Sequence, residues 1–177
     1  LMLTTECNLE CKYCFGEALE DFEEEFTGEE IDYYLPKTIN FNLEHLRKFV
    51  SRDPNCTLTF YGGEPLLEID NIRQIMDLVN AQRFMIQTNG FFLNKLDSKY
   101  LNRFHTILVS IDGNKQLTSY YRGKLTFRKV LDNLIQIRKN MYQGELIARM
   151  TVMEKTDIYK QVRWLLENEE FRFSSVH

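Results

Sequence analysis

The chain has 177 residues, 44% of them hydrophobic and 13% aromatic, which is enough apolar matter for one packed core. Its 22 basic and 26 acidic residues leave a net charge of −4, and no Lys/Arg stripe interleaved with aromatics stands out, which argues against nucleic acid as a partner. No apolar run approaches the roughly 20 residues that span a bilayer, and the first residues lack the basic-then-apolar form of a signal peptide, so the expectation is no membrane partner and a cytoplasmic address.

In chain order, residues 1–5 read as a short strand that runs straight into "TTECNLECKYCFGEA", residues 4–18, where Cys7, Cys11 and Cys14 fall within eight positions. A reducing compartment disfavours disulfides, and a tight local cluster there more often means metal. Glu17 to Tyr34 breaks the rhythm with acidic runs; a solvated surface loop or short helix is the plain reading, and a lid or a contact for a basic peptide the sharper one. Asn42 is placed to cap a helix with Leu43, Leu46, Phe49 and Val50 on one face. Strand 57–61 follows, then "GGEP" (62–65), then a helix that Asp70 would cap, with Ile72, Ile75, Met76 and Val79 turned to the core. Strand 83–88 runs into "TNG" (88–90) and strand 106–111 into "SIDG" (110–113). Thr126 would cap a helix carrying Phe127, Val130, Leu131, Leu134 and Ile137; strand 146–152 comes next; Asp157 precedes Ile158, Val162, Leu165 and Leu166; and 171–175 is a last strand. Six strands alternating with helices predict an α/β fold with parallel strands, in one domain without repeats or linker. The chain opens on Leu1 in strand-like sequence and stops in "FRFSSVH", so it reads as a piece of something longer.

In a parallel barrel or half-barrel the carboxyl ends of the strands carry the site, because the loops that follow them converge there. Read together, those ends bring the cysteines, "GGEP", "TNG" and "SIDG" to one rim. Gly62 and Gly63 would let a ligand approach the backbone, although a plain turn explains either one alone, and Glu64 supplies a carboxylate for an ammonium or for a structural partner. A structural zinc site wants four closed ligands, and His45, His105 and His177 are not placed to complete one locally. An iron-sulfur cluster held by three thiolates instead leaves one iron open to an outside ligand. Cys56 precedes strand 57–61 and would enter its amino end, away from the rim, so it reads as a buried small hydrophobe.

Cys7-x3-Cys11-x2-Cys14, with Tyr13 before the last cysteine, resembles the signature of the radical S-adenosylmethionine (radical SAM) enzymes. The likeness runs from residue 3 to about residue 153. "GGEP" resembles the family's glycine-rich motif for the methionine amino group, "SIDG" its ribose-contacting strand end, and Arg122 falls where a peptide-maturase branch places the arginine that reaches the methionine carboxylate. The resemblance implies a partial TIM barrel, a (βα)6 core over residues 1–177, from which the cysteine-rich auxiliary domain of many relatives is missing. It implies a 4Fe-4S cluster on Cys7, Cys11 and Cys14 whose fourth iron is chelated by S-adenosylmethionine. An electron from a ferredoxin- or flavodoxin-type donor would cleave that cofactor to a 5'-deoxyadenosyl radical, which takes hydrogen from a peptide or protein substrate. Carried over by position, Gly62, Gly63 and Glu64 would meet the amino group, Ser110 and Asp112 the ribose and nearby polar atoms, and Arg122 the carboxylate. Tyr13 and Met153 would border the adenine, and Thr88 and Asn89 would face substrate or cofactor.

"YGGEPLL", "IQTNG", "LVSIDG" and "YYRG" before an amphipathic helix are most similar to the peptide-modifying maturases and sulfatase-maturase relatives, and within them to a methanogen-type peptide-modifying group. The chain departs from that branch at Thr118-Ser119, where a His-Asp pair is usual. Three other readings compete. An activase of glycyl-radical enzymes would continue into strand 2 without the insertion at 17–40. A non-enzymatic iron-sulfur electron-transfer module would want four cysteines and no nucleoside-binding rim. A structural metal domain would hold zinc.

Overall fold

The computed structural model of the chain describes residues 1–14 and 36–177, so the acidic stretch expected on the surface over 17–34 lies outside the described residues. Apolar runs such as "RFMIQT" and "FHTILVS" suit strands buried on both faces. They form β1 (Thr57–Phe60), β2 (Arg83–Thr88), β3 (Phe104–Ser110) and β4 (Glu145–Arg149), with a two-residue β5 (Ser175–Val176). The five lie side by side in chain order, every neighbouring pair parallel. Right-handed crossovers in such an order bring all the helices to one face, as in an open barrel; a doubly wound sheet would reverse its order partway.

The expected first strand is reduced to two isolated bridges, a parallel one between Met2 and Tyr61 and an antiparallel one between Thr4 and Thr38. Leu3 N–H donates to Tyr61 O at 3.0 Å and Tyr61 N–H to Leu1 O at 3.1 Å, after which the chain leaves for the cysteine loop. The last strand also shifts. Phe171 and Phe173, which suggested it, are buried aromatics of the preceding turn: Phe171 packs edge-on against Phe127 with centroids 5.5 Å apart and stacks on Phe173 at 5.4 Å.

The helices are α1 (Leu43–Val50), α2 (Ile69–Leu78), the single turn α3 (Ser98–Leu101), α4 (Lys115–Arg122), α5 (Thr126–Lys139) and α6 (Ile158–Glu167). Asn42 and Asp157 cap as expected, each accepting at 3.0 Å, from His45 N–H and Lys160 N–H respectively. Asp70 and Thr126 do not. Asp70 sits within the first turn of α2 paired with Arg73, and Thr126 sits inside α5, its hydroxyl donating back to Arg122 O at 2.7 Å. Sequence reasoning missed α4, although Asn114 caps it by accepting from Leu117 N–H at 3.0 Å.

The core gathers Phe60, Phe84, Ile86, Phe104, Ile107 and Val109 from the sheet with Ile72, Ile75 and Met76 of α2 and Val130, Leu134 and Ile137 of α5. The α1 and α6 stripes are only half covered, since Phe49 is 68% exposed, Ile158 53% and Leu166 45%. Cys56 is half-buried, not fully buried, against the core at the amino end of β1.

Candidate active site

A cavity of about 360 Å³ opens at the carboxyl ends of the strands. Cys7, Cys11 and Cys14 border it together with Tyr13, Gly62 and Gly63; Thr88, Asn89, Ser110 and Arg122 complete the predicted residues that reach it. A larger concavity of about 630 Å³ lies on the outer face of α6, but it holds neither a thiol nor a rim glycine and has no part in this chemistry.

The cysteine loop is held by its backbone. Cys14 N–H donates to Cys11 O at 2.8 Å, closing a turn, and Lys12 N–H donates to Tyr121 O at 2.9 Å, pinning the loop to α4. Asn89 Nδ2 donates to Asn8 Oδ1 at 2.9 Å and toward Cys7 Sγ at 3.7 Å. All four cysteines are free. Burial raises the Cys7 thiol and pushes Cys11 up to about 11; the Arg122 charge opposes this at Cys11 and the neighbouring thiols add to it. A cationic centre would hold the Cys7 and Cys11 thiols ionised against that burial. Three thiols bordering one cavity suit the ligand set of an iron-sulfur cluster that leaves one iron open to an outside ligand.

The two glycines are set by backbone contact. A Cβ on Gly62 would lie 2.3 Å from Thr4 O and one on Gly63 2.2 Å from Glu6 O. Gly63 N–H donates to Thr4 O at 2.9 Å and Glu64 N–H to Glu6 O at 2.8 Å. The turn after β1 is therefore zipped to the segment that launches the cysteine loop, and only glycine permits that approach.

Glu64, Asp112 and Met153 do not line the cavity. Glu64 is fully buried and accepts from Leu66 N–H (2.9 Å), Thr88 Oγ1 (2.7 Å) and Asn89 N–H (2.7 Å), tying the ends of β1 and β2 together. Burial raises its pKa while the three donors pull it down. Asp112, also fully buried, accepts from Arg122 Nε (2.9 Å) and Nη2 (3.0 Å), from the Tyr13 hydroxyl (2.6 Å) and from Thr151 N–H (3.2 Å). Burial opposes the charge of Arg122, yet the Asp112 carboxylate outweighs it and the pKa rises above the ordinary guanidinium value. Met153 is half-buried beyond the rim, its N–H donating to Thr156 Oγ1 at 3.0 Å. The departure residue Thr118 is fully buried and structural; its hydroxyl donates to Gly113 O at 3.0 Å and accepts from Asp112 N–H.

Leu9, Gln87, Arg149 and Thr151 also line the cavity and were missed. The strand-end rule that found Thr88 and Ser110 reaches Arg149 and Thr151 once β4 is seen to end at Arg149 instead of residue 152.

Residues 1–136 match the family described as Fer4_12, a 4Fe-4S single cluster domain. A cysteine-type anaerobic sulfatase-maturating enzyme of Clostridium novyi (strain NT) is 29% identical over 96% of this chain and 47% of its own length. The radical SAM cyclopropyl synthase TigE of Paramaledivibacter caminithermalis is 23% identical over 79% of this chain and 32% of its own length. Among solved structures, native anSMEcpe with bound AdoMet and the Kp18Cys peptide superposes with a TM-score of 0.66 at 22% identity, covering 98% of this chain and 49% of that one, a likeness of fold. The chain thus spans about half the length of the relatives it matches or less. With the thiol-lined cavity and the parallel fold in place, the chain belongs to the 4Fe-4S single cluster domain family and is similar to the anaerobic sulfatase-maturating enzymes.

Proposed function

We infer that residues 1–177 form the radical SAM core of a peptide-modifying enzyme. One observation carries this reading: the three thiols of the cysteine loop and the glycine, "TNG" and "SIDG" strand ends border a single cavity. Cys7, Cys11 and Cys14 would hold a 4Fe-4S cluster, with Asn89 donating toward the Cys7 sulfur and so tuning it. Gly62, Gly63, Thr88 and Ser110 would present backbone and small polar groups to S-adenosylmethionine. Arg122 would offer its remaining N–H groups to the methionine carboxylate, and Tyr13 would stand at the adenine. Glu64 would act one step back, fixing the backbone of residues 88 and 89, instead of meeting the amino group itself. When bound, the cluster and S-adenosylmethionine would supply one-electron reductive cleavage and radical chemistry. The chain's own part is to orient these groups and shield them in a cavity at the sheet's end.

The substrate would be a peptide or protein, as supported by the sulfatase-maturating relative and by the fold likeness to an enzyme with a bound peptide. A ferredoxin- or flavodoxin-type donor would supply the electron. Four free thiols and an oxygen-sensitive cluster suit a reducing, cytoplasmic compartment, and among the described residues no helix is long and apolar enough to cross a membrane. Anaerobic reconstitution followed by dithionite and S-adenosylmethionine tests the reading. It expects about four irons and four sulfides per chain, lost in Cys11→Ala, and release of 5'-deoxyadenosine; zinc in place of iron, or no nucleoside cleavage, would overturn it.

A further inference from the structure

The resemblance pointed to Asp112, with Ser110, for the ribose and nearby polar atoms, but in the structure its carboxylate is occupied by protein donors. A carboxylate has about four lone-pair positions. Oδ2 accepts from Tyr13 and Arg122 Nε, and Oδ1 accepts from Arg122 Nη2 and Thr151, so all four are taken in a side chain with no exposed surface. Every donor sits on a different element: Tyr13 between two cysteines of the loop, Arg122 at the end of α4, and Thr151 beyond β4. Arg122 is itself 7% exposed, and that small opening faces the cavity. With Nε and Nη2 committed to Asp112, Nη1 has no partner among the described residues. The guanidinium plane is thereby fixed with one edge gripped and the other free, the geometry of a preorganised carboxylate receptor.

We propose that Asp112 is a positioning residue that clasps Arg122 and Tyr13 at once, so that seating the cysteine loop and aiming Arg122 at the ligand carboxylate are one event. The proposal rests on the function inferred above for its ligand, but the clasp is a property of the chain alone. Tyr13 lies between Cys11 and Cys14, and its 2.6 Å hydrogen bond is the loop's side-chain tether to Asp112; the Lys12 N–H to Tyr121 O bond is the backbone counterpart one residue earlier. The Tyr13 ring also packs 5.5 Å from that of Tyr121 and under the Arg122 guanidinium at 5.3 Å, so loop, helix end and carboxylate form one contiguous unit.

Two measurements test it. In the reconstituted chain, Asp112→Asn should keep its iron but bind S-adenosylmethionine about tenfold more weakly, the scale of one hydrogen bond to a charged group. Arg122→Lys should do likewise, and the double variant should be no weaker than the weaker single, because Asp112 acts through Arg122. Losses that multiply would mean Asp112 touches the ligand independently, and the proposal would fall. In the cluster-free chain, Tyr13→Phe should expose Cys11 and Cys14 to iodoacetamide about tenfold faster, from loss of the same kind of bond. Unchanged alkylation rates would overturn the tether. If the chain takes up no iron, the functional reading fails, and the alkylation experiment still decides the clasp.

Discussion

The rim holds two fully buried carboxylates kept by opposite means. Glu64, at the end of β1, is surrounded by neutral donors, one hydroxyl and two backbone N–H groups, and binds strand end to strand end. Asp112, past the end of β3, is met by a guanidinium and a phenol and binds loop to helix. The neutral setting leaves burial dominant and the Glu64 pKa raised, whereas Asp112 has a cation to share its burial. One corner can therefore exchange a proton for stability; the other depends on its partner being present.

The largest expected effect breaks the charged corner. Arg122→Ala leaves the Asp112 carboxylate buried without its cation and should lower unfolding stability by about 3–5 kcal/mol, read from denaturant midpoints. Glu64→Gln comes next. An amide can satisfy the donors at one oxygen but sets an NH2 against the N–H of residue 89 or 66, so the loss should be about 1–3 kcal/mol. Because the folded-state pKa of Glu64 is raised, the folded chain holds its proton to higher pH than the unfolded chain. Glu64 should thus make stability fall as pH climbs from the ordinary carboxylate range through the raised value, and the Glu64→Gln variant, lacking that proton, should show a flatter profile in the same titration. The smallest effect is expected from Thr88→Ser, which keeps the hydroxyl between Glu64 and the Gly90 N–H and removes one buried methyl, about 0.8 kcal/mol. A loss well above that would mean the methyl, not the hydroxyl, holds the corner.

Helices α5 and α6 show how far pattern carries. Both present an apolar stripe, and the α5 stripe, Phe127, Val130, Leu131, Leu134 and Ile137, is buried throughout. In α6 only Leu165 of the expected four is, while Ile158 and Leu166 remain open. Periodicity tells which side chains share a face; whether another element covers that face depends on long-range packing. The same limit placed the ends of β4 and β5 wrongly, since an apolar run such as "FRF" serves a turn packed on Phe127 as well as a strand.

Residue spacing alone determined the cysteine trio, the strand-end motifs and the alternation that makes a parallel sheet, because these are local and reach the rim by the fixed direction of each strand. Tertiary structure decided which rim residues face the cavity and which stand behind it. Glu64 and Asp112 sit within motifs beside Gly63 and Ser110, yet their carboxylates turn inward, since each finds its donors, Thr88 and Asn89 for one and Tyr13 and Arg122 for the other, on segments brought close only by folding. A buried carboxylate goes where donors are, and a linear sequence does not say which donors will be near.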